Sequence, residues 1–296
     1  MIQTIGMVGL GLMGSAISEN LLKGKYSVIG YDILPEPIEA LKKKNGKGAA
    51  TCLDVAEVAD VVITSLPGET SLMEVVGGRH GLLKSKKNGL IVIETSTLPL
   101  KAKREAKAAL DSVGMIVLDC PLSGTAAQAV KKDLVVYASG DRLAYDECIP
   151  IFECFARSHF YLGEFGTGIK MKLVANLLVA IHNVSAAEAF VLGMKAGLDP
   201  EIIYQVISDG AGSSRMFEVR GPLMVFEKYD EVTMKVDVFQ KDIEIITSFA
   251  KELHVPIPLL STAAKIYTMA LEKGRAKQDT ASVCAVLEEL AGLKRN

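Results

Sequence analysis

The sequence predicts an α/β protein, with a doubly wound parallel sheet in its first half and an all-α domain in its second. Three observations lead there. Apolar, β-branched runs alternate with helical patterns over the first half. A glycine-rich turn follows the first of these runs directly, and from Gly166 onward the apolar spacing is helical with no convincing strand. Continuous apolar strands separated by helices mark a parallel sheet covered on both faces.

The elements follow in order. Strands are expected at 4–8, 27–31, 61–66, 90–94 and 115–119, separated by helices near 11–23, 35–45, 69–78 and 100–112. Two further strands, 134–138 and 159–162, flank a helix at about 141–155, giving a sheet of about six to eight strands that ends near Gly163. The segment from Gly166 to Lys195 contains no proline and closes at Gly197-Leu-Asp-Pro200. It reads as one helix of about 28 residues, long for a globular domain. Helices are expected at 200–208, 214–225, 237–253, 258–273 and 279–292.

Gly9-Leu-Gly11-Leu-Met-Gly14 joins the first strand to the first helix. In that setting the first glycine permits the turn, the second lets backbone approach a pyrophosphate, and the third packs helix on strand. The helix start, with Leu12 and Met13, presents N–H groups and a positive dipole end to phosphates. The next strand ends in Asp32, 18 residues past Gly14. An acid there accepts hydrogen bonds from a ribose 2′-hydroxyl and repels a 2′-phosphate, so NAD is expected rather than NADP. Residues 1–163 are therefore expected to form a Rossmann-type NAD-binding domain. Residues 164–296 are expected to form an all-α substrate and dimerisation domain joined to it by the long helix.

Composition narrows the class. The chain has 296 residues, is 49% apolar and carries a formal charge of -2, so it has core enough for two domains and no nucleic-acid surface. Five scattered cysteines without a C-x-x-C suit a reducing compartment. A first strand at Thr4 leaves no room for a targeting segment. The longest uncharged run, Leu173–Ala187, is short for a membrane span and contains Asn176, His182 and Asn183. The expectation is a soluble cytoplasmic protein without metal, its four histidines (80, 159, 182 and 254) being dispersed. A long helix apolar on several faces is hard to cover in one subunit, so a homodimer or homotetramer is expected.

Three segments carry candidate chemistry. Asp119-Cys-Pro-Leu-Ser123-Gly124-Thr125 follows the last parallel strand, where ligands of open α/β sheets bind. Its Ser hydroxyl and Gly N–H suit a carboxylate, although the same residues make a plain turn. Lys172 and Asn176 share one face of the long helix. A lysine among apolar neighbours works as a proton acceptor or donor, unless its stem lies on the surface with the amine in water, as expected for Lys170. Gln240-Lys241-Asp242 is, by spacing alone, an ordinary charged helix end.

Together these motifs resemble the β-hydroxyacid dehydrogenase family over essentially the whole chain. The resemblance rests on Gly9-x-Gly11-x-x-Gly14, Leu66-Pro67, Ser96-Thr97 with Pro99, and Asp119…Pro121-x-Ser123-Gly124. It also includes Gly166-x-Gly168-x-x-x-Lys172 with Asn176, and Lys241-Asp242. It implies reversible hydride transfer between NAD and a small 3-hydroxy acid or semialdehyde. Lys172 is then the catalytic acid/base, and Ser123, Gly124 and Asn176 bind the substrate carboxylate and hydroxyl. Leu66, Pro67 and Thr97 line the cofactor site, and Lys241 lies near the nicotinamide.

The chain departs from the family pattern at Thr125 and Lys132, where glycines are usual, and at Ala175, where asparagine is common. Thr125 is therefore expected to shape substrate choice toward polar C3–C5 acids, with Lys131 and Lys132 as added charge or as plain solvated lysines. No Y-x-x-x-K occurs, which argues against a short-chain dehydrogenase. The competing readings are a non-catalytic dinucleotide-binding sensor or scaffold, and an imine-reductase-like relative; both tend to lack the lysine.

Overall fold

A computed structural model describes residues 2–295. The chain divides into two units, the first running through Lys172 and the second beginning at Leu173. In the first unit the order is β1 (Thr4–Val8), α1 (Leu12–Lys23), β2 (Ser27–Tyr31), α2 (Pro35–Lys43), β3 (Lys47–Gly48), α3 (Cys52–Val58), β4 (Val61–Thr64) and α4 (Glu69–Gly77). It continues through β5 (Ile91–Glu94), α5 (Leu100–Asp111), β6 (Ile116–Asp119), β7 (Leu122–Ser123), α6 (Ala126–Val130), β8 (Leu134–Ala138), α7 (Arg142–Phe155) and β9 (Ala156–Tyr161).

Six of these strands form a parallel sheet in the order β3-β2-β1-β4-β5-β6. Strand order reverses between β1 and β4, the place where open α/β sheets bind ligands beyond their strand ends. The strands read as continuous apolar runs because each face meets its own layer. Ile5, Met7, Ile63 and Ile93 join one cluster with Ile17 and Leu21 of α1, while Val8, Val62 and Val92 join another with Val55 of α3 and Val75 of α4. Fully burying each such side chain contributes about 1.5–3 kcal/mol.

The last strands do not extend this sheet. β7, β8 and β9 form a separate three-stranded sheet, and an isolated antiparallel bridge pairs Asp119 at the end of β6 with Ser139 just after β8. Pro121 has no N–H to continue the β6 ladder, so the chain leaves the sheet there and pairing reverses. Sequence patterns also missed the two-residue β3 and the short α3 and α6, each too brief to show a period.

Helix α8 (Thr167–Lys195) runs from the first unit into the second. The second unit adds α9 (Pro200–Ser208), α10 (Arg215–Val225), α11 (Val236–Glu252), α12 (Pro258–Glu272) and α13 (Val283–Leu290). By length and composition alone α8 is long and apolar enough to cross a membrane. It is nonetheless tied into the unit: the side-chain nitrogen of the fully buried Asn183 donates to Tyr267 Oη and to the Thr280 carbonyl, both at 2.9 Å. On α11, Phe239, Ile243, Ile246 and Ala250 recur at helical spacing and are buried, with Phe239 packed on Tyr267.

Candidate active site

The glycine turn at the end of β1 divides the work among its residues. Gly9 has φ 91°, and a Cβ there would lie 2.2 Å from the Ser65 carbonyl oxygen. A Cβ on Gly14 would lie 1.9 Å from the Gly9 carbonyl oxygen. At Gly11 the φ is -61° and an added Cβ would meet nothing within 4 Å. The fold requires the outer glycines, whereas the middle one leaves a space that the protein does not fill. Gly11 is also the N-cap of α1, with no side-chain cap and no acid in the first turn, so the helix start faces that space with its N–H groups.

The neighbouring strand ends close around it. Asp32, at the end of β2, accepts the Leu10 N–H at 2.7 Å and the Leu34 N–H at 3.0 Å, tying the glycine turn to β2. Ser96 Oγ, after β5, accepts the Leu66 N–H after β4 at 2.8 Å. Leu12, Ile33 and Leu34 are exposed apolar residues flanking the turn. Gly9, Gly11, Gly14, Asp32, Leu66, Pro67 and Thr97 therefore all lie at the carboxyl edge of one sheet. Polar backbone, one carboxylate and uncovered apolar groups fit a dinucleotide there.

Ser123 ends β7 and Gly124 follows at φ 132°, where a Cβ would lie 2.6 Å from Leu134 Cδ2. Thr125 is the N-cap of α6. Its N–H donates to Gln128 Oε1 at 3.0 Å, and its hydroxyl faces the same side chain at 3.3 Å. Lys132 sits at the far end of α6, its N–H donating to the Ala129 carbonyl. Ala129 of α6 accepts from Asn20, in the last half of α1, so this end of α6 packs away from the glycine turn.

Lys172 is 8% exposed and Lys170 is exposed, so only Lys172 is drawn out of water. The start of α8 is seated tightly: a Cβ on Gly168 would lie 2.3 Å from the Tyr137 carbonyl and 2.6 Å from the Asp119 carbonyl. Asp119 Oδ2 accepts the Ile169 N–H at 2.7 Å, and Ser139 Oγ accepts the Gly168 N–H at 2.9 Å. Asp119 thus caps the helix from another element. In the second unit the buried Asn176 donates to Asp242 Oδ2 at 2.8 Å, and Lys241 Nζ stands 3.6 Å from Asp242 Oδ1.

Residues 4–163 match the NAD binding domain of 6-phosphogluconate dehydrogenase, and residues 166–287 match the family described as NAD-binding of NADP-dependent 3-hydroxyisobutyrate dehydrogenase. The chain belongs to the β-hydroxyacid dehydrogenase family. Among its relatives is an L-threonate dehydrogenase of Haemophilus influenzae, 33% identical over 96% of this chain and 94% of its own. The mitochondrial 3-hydroxyisobutyrate dehydrogenase of Mus musculus is 30% identical over 96% and 87%. A crystal structure of 3-hydroxyisobutyrate dehydrogenase from Salmonella typhimurium superposes with a TM-score of 0.87 at 30% identity, covering 96% of this chain and 99% of the other. As a β-hydroxyacid dehydrogenase the chain takes a nicotinamide dinucleotide.

Sequence reasoning missed one group in this β-hydroxyacid dehydrogenase. Lys103, on α5, is fully buried between Glu94 and Asp119, with its Nζ 2.6 Å from each carboxylate. Burial disfavours the ammonium, but Asp119 and Glu94 outweigh it and hold the Lys103 pKa above its ordinary value. The helix around it, Leu-Lys-Ala-Lys103-Arg-Glu-Ala-Lys, reads as a solvated charged face. Only the match of one cation to two strand-end carboxylates distant in sequence could have marked it.

Proposed function

We propose that the protein is a soluble cytoplasmic dehydrogenase that transfers hydride between NAD(H) and a small polar hydroxy acid or semialdehyde, with Lys172 as acid/base. The observation that carries the reading is Lys172 itself, buried in an apolar helix whose first turn is anchored to the sheet bearing the Gly11 cradle. A dinucleotide held by its phosphates at the cradle would supply a hydride acceptor or donor at the nicotinamide C4.

The remaining work belongs to the chain. Neutral Lys172 takes the carbinol proton as the C–H electron pair leaves, and protonated Lys172 returns a proton to the carbonyl oxygen in reduction. Ser123 and Gly124 hold the substrate carboxylate, and Asn176 orients the hydroxyl or the lysine. Lys241 serves the nicotinamide side. Leu12 and Met13 cover the dinucleotide at the start of α1. Asp32 favours NAD over NADP by repelling a 2′-phosphate, and Ile33, Leu34 and Pro35 place no cation beside it.

Thr125 has its amide and hydroxyl engaged by Gln128, so it acts on specificity through the bulk of its side chain. The relatives named L-threonate dehydrogenase agree with a polar hydroxy acid as substrate. Assembly as a homodimer or homotetramer is supported by exposed Val174, Leu178 and Leu192 on α8 and by Ile202 and Val206 on α9.

Nicotinamide reduction followed with L-threonate, 3-hydroxyisobutyrate and small semialdehydes, each with both cofactors, tests the reading. Turnover is expected with NAD(H), with the polyhydroxylated acid favoured over 3-hydroxyisobutyrate. Cofactor binding without turnover on any of them would make the chain a dinucleotide sensor instead.

A further inference from the structure

The ion network around Lys103 serves none of the binding or proton-transfer roles assigned above. It has two arms. On one, Asp119 is shared between Lys103 and the start of α8, accepting from Ile169 N and from Ser139 Oγ at 3.2 Å, while Ser139 itself accepts from Gly168. On the other, Glu94 Oε1 accepts the Ser96 N–H at 2.8 Å, and Ser96 Oγ accepts the Leu66 N–H at 2.8 Å. One cation and two carboxylates leave a surplus negative charge, which the N–H groups and dipole of α8 offset at Asp119. Stability alone is a poor reason to keep such a network, because apolar side chains of the same volume often serve as well. What apolar groups would not do is join two loops to a helix start through directional bonds.

We propose that Lys103, Glu94 and Asp119 are positioning residues, whose network locks the first turn of α8, and hence Lys172, in register with the Leu66 and Ser96 loops. The proposal rests on Lys172 being the acid/base. Lys172 lies one turn beyond Ile169, so a slip of that turn against the strand ends displaces the amine from the reacting oxygen. Displacements of about 1 Å cost on the order of 100-fold in rate.

Two variants test it in the full-length enzyme. Asp119→Asn keeps an oxygen for Ile169 but loses the charge. Glu94→Gln combined with Lys103→Met removes the ion pair whole, leaves Asp119 on α8 and keeps the site's formal charge at about -1; it decides the matter if the first variant fails to fold. The expected result for a folded variant is a kcat lower by roughly 10- to 100-fold, with NADH affinity and cofactor KM within about two-fold of wild type. Wild-type kcat in a folded variant, or equal losses of kcat and NADH affinity, would overturn the proposal and leave the network merely structural. Lys172→Ala is run alongside. If it turns over normally the acid/base reading itself falls, whereas if it is inactive and the network variants are not, the positioning role alone falls.

Discussion

A Cβ on Gly14 would lie 1.9 Å from the carbonyl oxygen of Gly9, whereas the same atom on Gly11 would touch nothing. The fold therefore demands Gly14, and the proposed dinucleotide site is what would demand Gly11. Gly11→Ala is expected to melt within about 1 °C of wild type yet weaken NADH binding by at least roughly 10-fold, because the methyl group takes the space of a phosphate oxygen. Gly14→Ala is expected to lose stability outright. Thermal melts and NADH fluorescence titrations check both; unaltered NADH affinity in Gly11→Ala would contradict the cradle.

Lys132 offers a test independent of the site. It has φ 58° just after α6, its N–H donates to Ala129, and the next N–H, that of Asp133, donates to Gln128. This is the paired C-terminal closure in which glycine is usual. A lysine there carries backbone strain, so Lys132→Gly is expected to stabilise the protein by about 0.5–1 kcal/mol in urea unfolding, after the entropy a glycine gains in the unfolded chain. Activity on hydroxy acids is expected to stay the same, since this end of α6 lies away from the cradle.

The thiols should be nearly inert. Burial pushes Cys52, Cys148 and Cys284 up to about 12 and Cys120 well above its usual value, while Cys154 is half-exposed. Iodoacetamide on the native protein at neutral pH should modify Cys154 at most, and all five cysteines only after unfolding. Rapid labelling of Cys120 would show the strand-end core to be open.

Asp60 gives a pH dependence of known sign. It accepts the Thr4 and Gln3 N–H groups at 2.9 and 2.8 Å, and these bonds, Thr4 first, hold its pKa below the ordinary value. A carboxylate depressed in the folded state adds stability above its unfolded pKa of about 3.9, and that stability is lost as pH falls through the folded value. The melting temperature of Asp60→Asn should therefore lie below that of wild type at neutral pH, and the gap should close on acidification. A gap that does not change with pH would contradict the assignment.

Much of this was legible because the deciding patterns are local or periodic. The β1, β4 and β5 strands announce themselves as unbroken apolar runs, since both faces of the sheet are covered, and the glycine turn places its chemistry within six consecutive residues. What escaped depends on pairing across the sequence. β8 and β9 look like further strands of the main sheet, and nothing local says that Pro121 diverts them into a second one. Lys103 has the neighbours of a surface lysine, and its burial is set by Glu94 and Asp119 on two different strands.

The central claim is that Lys172 moves the proton. The most direct measurement is kcat for Lys172→Ala beside Lys170→Ala, with NADH affinity measured on both. Lys172→Ala is expected to bind NADH as wild type does and to lose about 10²–10⁴-fold in kcat, while Lys170→Ala, on the exposed side of α8, keeps full activity. A Lys172→Ala enzyme with kcat near wild type would contradict the account.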